Sequence, residues 1–411
     1  MLSNKLTIFA VVNERFGQIE LVMKKYMQFV FLLGIALSSR AQSYHYNTKF
    51  TLSSRHFVDT IPITFENDQI YFTALSEGKC YRFCLDTGSG QGIAYPDSKM
   101  AFKRKLGKIS SHDANGKIKK TDVVEFPSFR IGNTTVSGYA GTLLNTHVMH
   151  TEYDGVVGFD LFNKGLSAKI DVREGVMILT DNPNYFSQEK GHVIKYKLER
   201  WVPYVTISPY GECKDKARFD TGSRRLYVMS EESRRLFSSQ DSSFTSQIEG
   251  ISYGSRAIGS FGAERADEVA FLHLDEWKWQ DFTFCNYHTL TTQGISRIGA
   301  EIFNYGSIII NPRRKTLTFQ PYEDNAEVEV GNKQMNIAFV PQDNKAAVGL
   351  VWEGSPHYKN GFRQGDIILS IDGDDVRSFQ DFVSYPFIKS YIHTFTVLGK
   401  DGEIRNIKSE R

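Results

Sequence analysis

Apolar and polar positions alternate along residues 44–75, in Ile61-Pro62-Ile63-Thr64-Phe65 and then Ile70-Tyr71-Phe72, and period two predicts strands. Cys80-Tyr81-Arg82-Phe83-Cys84-Leu85 continues the alternation and runs into Asp86-Thr87-Gly88-Ser89. The apolar Ile93-Ala94-Tyr95 follows, and Pro96 to Leu106 reads as a helix. Ser110 to Glu125 holds Asn115-Gly116, a two-residue hairpin signal. Further on, Val193–Leu198 and Val202–Pro209 read as strands. Ala217-Arg218-Phe219 then leads into Asp220-Thr221-Gly222-Ser223, and Leu226-Tyr227-Val228-Met229 precedes Ser230, an N-cap for a helix from Glu231 to about Phe237.

The two tetrapeptides belong to a longer repeat. Val156-Val157-Gly158 opens a segment echoed at Arg297-Ile298-Gly299. Each copy is followed by two strand-like runs about a charged turn: Ala168–Val172 with Val176–Thr180, then Ser307–Asn311 with Thr316–Phe319. A unit of about 140 residues is therefore duplicated, and each copy supplies one aspartate. A lone Asp-Thr-Gly is ordinary turn chemistry. Two copies with the same flanks are not.

On these motifs, residues 50–322 resemble the aspartic peptidases of the pepsin-like and retropepsin-like group. The resemblance implies a mainly β fold, with two duplicated lobes facing a cleft. It also implies a catalytic pair, Asp86 and Asp220. Two carboxyls about 3 Å apart cannot both ionise, so one shared proton leaves an acid beside a base for water-mediated peptide hydrolysis. Gly88 and Gly222 permit a tight backbone approach. Thr87 and Thr221 resemble threonines that hydrogen-bond across the lobes, and Ser89 and Ser223 are placed to donate to the carboxylates. In the group, a hairpin at 110–125 folds over the cleft as a flap. Tyr253 to Gly262 is a candidate counterpart in the second lobe, and Tyr139 and Tyr153 are candidate cleft aromatics. Arg297 stands where the pattern expects an apolar residue.

Composition agrees with a β-rich chain: 20 Tyr and 30 Phe in 411 residues, with 41% hydrophobic positions. The net charge is +2, and removing residues 1–41 leaves −1, so neither nucleic acid nor an anionic surface is indicated as a partner. Met23-Lys24-Lys25, the apolar run Met27 to Leu37 and Ser39-Arg40-Ala41 read as a secretory signal cleaved after Ala41, which predicts export to the periplasm or beyond. That apolar run is too short to span a bilayer. Of four cysteines, Cys80 and Cys84 are too far apart on one strand to bridge, while Cys213 and Cys285 are a candidate pair. His147 and His150 have helical ligand spacing without a third partner, so no metal and no cofactor is expected.

Past Pro321 an acidic stretch, 323–332, reads as a link. From about Met335 the chain resembles a bacterial-type PDZ domain, on Val348-Gly349-Leu350-Val351, Gly354-Ser355-Pro356 and Gly361-Phe362-Arg363-Gln364-Gly365-Asp366-Ile367-Ile368. Such domains add an extended peptide to a sheet edge. The ligand loop is expected at Ile337, Ala338 and Phe339, and the groove helix near Phe379. The expected layout is thus 1–41 signal region, 42–185 first lobe, 186–325 second lobe and 335–411 PDZ domain. It points to an exported, monomeric endopeptidase acting on proteins or peptides. The alternative is a peptide-binding envelope protein on a peptidase scaffold without turnover.

Overall fold

The computed structural model describes residues 48–144, 153–331, 336–388 and 391–410. The signal region and the His147/His150 pair lie outside them. The described chain is mainly β, with a few short helices.

In the first lobe the strands Val58–Glu66, Gln69–Ser76 and Lys79–Asp86 form a meander, and the last delivers Asp86 at its end. Gly155–Gly158 runs parallel beside it, with Val157 opposite Leu85 and Gly158 opposite Asp86. The second lobe repeats the plan. Val202–Tyr210 and Cys213–Phe219 form a hairpin that ends at Asp220, and Arg297–Ile298 lies parallel to it, with Ile298 opposite Phe219.

The hairpins after each glycine segment join into one sheet. Ser167–Asp171 pairs with Gly306–Asn311, Ala168 facing Ile310, while Val176–Thr180 and Thr316–Pro321 flank them. Val58–Glu66 pairs with Val176–Thr180 on one side, and His192–Lys195 pairs with Thr316–Pro321 on the other. Gly306–Asn311 is buried at every position, which is why Ile308-Ile309-Ile310 carries no polar alternation. The sheet ties the two aspartate-bearing units together, and the main hydrophobic core runs through both.

Several local expectations are corrected. Residues 96–103 form turns instead of a helix: the Ser98 hydroxyl donates to the Asp154 carbonyl, and Lys103 N–H already bonds Glu125. From Arg104 to His112 the chain is a strand paired with Ile118–Glu125, so the hairpin is longer than its signal. Its turn is the loop Asp113–Lys117, where the Asp113 carboxylate accepts from Asn115 N–H and Lys117 N–H. Glu327–Glu329, expected as part of a link, adds a strand parallel to Phe282–Leu290. Cys213 and Cys285 are free thiols: Cys213 sits opposite Tyr210 and Cys285 opposite Glu276, on different strand pairs. The helix Glu231–Gln240 forms with Ser230 as its cap, whose hydroxyl accepts from Ser233 N–H at 3.0 Å.

The C-terminal domain orders its strands Ile337–Gln342, Lys345–Val351, Ile367–Ile371, Ile392–Leu398 and Ile404–Glu410, around its own core of Phe362, Ile368, Phe395 and neighbours. It packs on the second lobe. Trp352 stacks on Phe271 at 5.8 Å, the Ser252 hydroxyl donates to the Val351 carbonyl, and Ala338 and Leu350 bury themselves against Val269, Phe271 and Leu290.

Candidate active site

The two Asp-Thr-Gly loops meet. Thr87 N–H donates to the Thr221 hydroxyl at 3.0 Å, and Thr221 N–H donates to the Thr87 hydroxyl at 3.0 Å. Each hydroxyl then donates across to the strand that leads into the opposite aspartate, Thr87 to Phe219 and Thr221 to Leu85. Both threonines are fully buried, so these four bonds satisfy groups that water cannot reach.

The glycines are forced by proximity. A Cβ on Gly88 would lie 2.2 Å from Asp220 Cγ, and one on Gly222 would lie 2.6 Å from Asp86 Cγ. Each loop rests on its glycine segment in the same way. Phe159 N–H bonds the Ser89 carbonyl and Ala300 N–H bonds the Ser223 carbonyl. A Cβ on Gly158 would meet Ser89 O at 2.7 Å, and one on Gly299 would meet Ser223 O at 2.2 Å. Asp220 N–H also bonds the Ile298 carbonyl, so Arg297 does not displace this brace.

Asp86 and Asp220 face each other, each carboxyl against the glycine of the opposite loop, and their environments differ. Gly88 N–H donates to Asp86 Oδ1 at 2.8 Å. Arg218 donates to Asp220 Oδ2 from Nε at 3.0 Å and from Nη2 at 2.7 Å. Burial, and then the charge of Asp220, push the Asp86 carboxyl up to about 7. Burial also pushes Asp220 upward, but Arg218 and then Arg297 outweigh it and hold this carboxyl below its ordinary range. At mild acidity the pair therefore shares one proton and one negative charge, with the charge favoured on the Arg218 side.

Sequence reasoning missed Arg218. The signal was there: in Arg218-Phe219-Asp220 the first and third side chains share one face of the strand. The serines are corrected. The Ser89 hydroxyl donates to the Gln91 carbonyl at 2.6 Å, away from the carboxylates. Ser223 contributes through its backbone, its N–H bonding the Asp220 carbonyl. Tyr139 is a brace, not a cleft aromatic: fully buried, it donates to Asp160 at 2.7 Å and accepts from Gly158 N–H. Tyr153 does stand near Asp86, in an aromatic group with Tyr71 and Tyr95.

The 104–125 hairpin reaches across to the second lobe. The Ala114 carbonyl accepts from Arg297 Nη1 at 3.0 Å, Lys117 Nζ donates to the Ala263 carbonyl, and Asp113 accepts from Phe261 N–H. Phe261 itself packs against the cluster of Tyr71, Tyr95, Leu144 and Tyr153. Its loop thus fills an apolar recess of the first lobe, and Ile258 on the same loop touches the core of the C-terminal domain.

In that domain Ile337–Gln342 is a sheet edge among the described residues, and Pro341 suits an edge because it lacks an N–H. Phe339 packs against Phe382 of the helix Phe379–Ser384, with ring centroids 4.6 Å apart, placing Phe339 and the half-buried Ile337 toward the groove. Ala338 is corrected: it points the other way, into the contact with the second lobe.

Comparison with known proteins adds three findings. The chain is 33% identical over 66 residues to the Metalloprotease MmpA of Caulobacter vibrioides, a match spanning 16% of this chain and 17% of that protein. The crystal structure of basic 7S globulin from soybean aligns over 64% of this chain and 94% of its own, with a TM-score of 0.39 and 9% identity. Residues 334–397 match the PDZ domain family model, so the C-terminal segment of this chain is a PDZ domain, a fold that implies peptide binding.

Proposed function

We propose that the chain is an exported aspartic endopeptidase whose PDZ domain binds substrate or partner peptides. The observation that carries the reading is the facing pair Asp86 and Asp220, set on two loops locked by reciprocal threonine bonds. The Caulobacter protein is named a metalloprotease, so it supports the reaction class of this reading and not the aspartate pair. Export rests on the charged, apolar and small-residue order from Met23 to Ala41.

In this reading Asp220, kept ionised by Arg218 and Arg297, takes a proton from a water placed between the carboxyls. Asp86, protonated below about 7, donates its proton to the scissile carbonyl oxygen as the water oxygen bonds to carbon. The tetrahedral diol then collapses. Its C–N bond breaks, the nitrogen takes up the proton held on Asp220, and Asp86 regains a proton from the diol hydroxyl. No covalent intermediate forms. Substrate entry requires the 113–117 loop and Phe261 to leave their contacts, a loop opening of the kind that gates many enzymes.

The test is incubation of the purified protein with a diverse peptide mixture, read by mass spectrometry from about pH 3 to 8, with and without a statine-type secondary alcohol. Cleavage that the alcohol abolishes is expected. A folded protein that binds peptides and cleaves none at any pH would favour the non-catalytic binding reading.

A further inference from the structure

Glu249, His273 and His288 come together on the second-lobe sheet, away from the aspartate pair. His273 and His288 are direct cross-strand partners, on Asp267–Trp279 and Phe282–Leu290. Their rings lie face to face, 4.2 Å between centroids and 5° apart in plane. Glu249 belongs to the neighbouring strand Ile248–Gly254, at a bulge: Ile248 faces Leu272 and Gly250 faces Phe271, so Glu249 is the extra residue. Bulges re-aim side chains, and this one brings Glu249 Oε2 to 2.9 Å from His288 Nδ1. One donor atom from each of the three residues lies within 4.8 Å of the others.

Two features go beyond what packing requires. His288 is 5% exposed, so its imidazole sits in a dry site beside a carboxylate. His273 Nε2 is buried and meets no hydrogen-bond partner, the kind of orphan atom that folded proteins rarely tolerate. A cation bound among the three donors would satisfy it.

We propose that Glu249, His273 and His288 form a binding site for one divalent transition-metal ion of the zinc class. Two imidazoles and one carboxylate are the donors that suit such an ion, and Ca²⁺ or Mg²⁺ would be disfavoured by the nitrogen ligands. Metal–ligand bonds of about 2.0–2.2 Å place tetrahedral donors roughly 3.3 Å apart, so side-chain rotations closing the set by about 1.5 Å complete the site. A water would fill the fourth position. The ion would clamp three adjacent strands where they meet the PDZ domain. Phe271 and Leu290, two residues along the same sheet face from His273 and His288, pack on Ala338, Leu350 and Trp352. Gly250, next to Glu249, lies directly against the Trp352 indole.

The test uses the untagged full chain after chelator treatment. Zn²⁺ affinity is measured by competition with a chromophoric chelator, and Co²⁺ serves as a spectroscopic probe of ligand number. The expected result is a single tight equivalent, visible d–d absorption with Co²⁺, and a melting temperature that rises with Zn²⁺. Glu249→Gln, His273→Gln and His288→Gln should each weaken binding by at least the roughly 10–100-fold that even outer-shell losses cost. His273→Gln is the decisive variant. Because Nε2 bonds nothing without metal, the substitution should lower metal-free stability only by the lost ring contact with His288 while removing the Zn²⁺-dependent rise entirely. Zn²⁺ binding by the wild type no tighter than by His273→Gln, or no binding at all, would overturn the proposal and leave the three residues as a packing contact.

Discussion

Arg218→Met should separate the roles of the two aspartates. Arg218 is almost fully buried and spends both Nε and Nη2 on Asp220 Oδ2, at 3.0 and 2.7 Å. At an effective dielectric constant of about 20, unit charges about 4 Å apart interact by roughly 4 kcal/mol, equivalent to about three pH units. Arg297 stays and supplies part of the stabilisation, so the acidic limb of kcat/KM against a cleaved peptide should move up by about two pH units. The alkaline limb, set by Asp86 at about 7 in the wild type, should also rise, because the charge of Arg218 lowers that group too. Removing one partner of a buried ion pair costs about 3–5 kcal/mol when the other remains charged. Stability should therefore fall most where Asp220 is ionised and recover toward acid pH. ¹³C-carboxyl NMR of labelled aspartate follows both titrations even if turnover is lost, and Arg218→Lys should restore most of the wild-type profile. A methionine variant whose Asp220 titrates as in the wild type would refute the assignment of Arg218 as the group that keeps this carboxylate charged.

The loop architecture makes other predictions. Thr221→Val removes the hydroxyl that pairs with Thr87 N–H and the Leu85 carbonyl, and two orphaned buried groups should cost about 2–5 kcal/mol in chemical denaturation. Gly299→Ala drives a Cβ to 2.2 Å from Ser223 O and 2.3 Å from Arg225 O, so it should lower the melting temperature far more than Gly402→Ala, whose Cβ meets open space and whose cost is about 1 kcal/mol for its positive φ. Phe261→Ala empties the recess lined by Tyr95 and Tyr153. Losing about 1–2 kcal/mol of apolar contact should favour the open cleft and raise kcat/KM roughly 5–30-fold; unchanged or lower cleavage would show that this loop does not restrain entry.

Much of the site was legible because duplication writes it twice. The loops around Asp86 and Asp220 and the glycines 158 and 299 follow from short motifs with the same flanks. What was not legible depends on register and on contacts between distant segments. Pro96 to Leu106 has no local feature that forbids a helix; contacts with Asp154 and Glu125 hold 96–103 in turns, and pairing with Ile118–Glu125 makes a strand from Arg104. A bulge leaves Gly349 as an extra residue opposite Ala338 and Phe339, and strand alternation alone does not locate a bulge. The same holds for Glu249, which meets His288 only because an extra residue turns it inward. Arg218 lay within reach, but a basic residue two places before an aspartate is common strand patterning until the cross-lobe contacts bury both.

The central claim is that Asp86 and Asp220 act as one acid and one base on a single water. Asp86→Asn and Asp220→Asn, compared with the wild type for cleavage of the same peptide near pH 5, test it most directly, with melting temperatures measured beside the rates. Both variants should stay folded and lose cleavage to the detection limit, since either change removes one of the two proton carriers. Wild-type turnover retained by either variant would contradict the account and place the chemistry elsewhere in the chain.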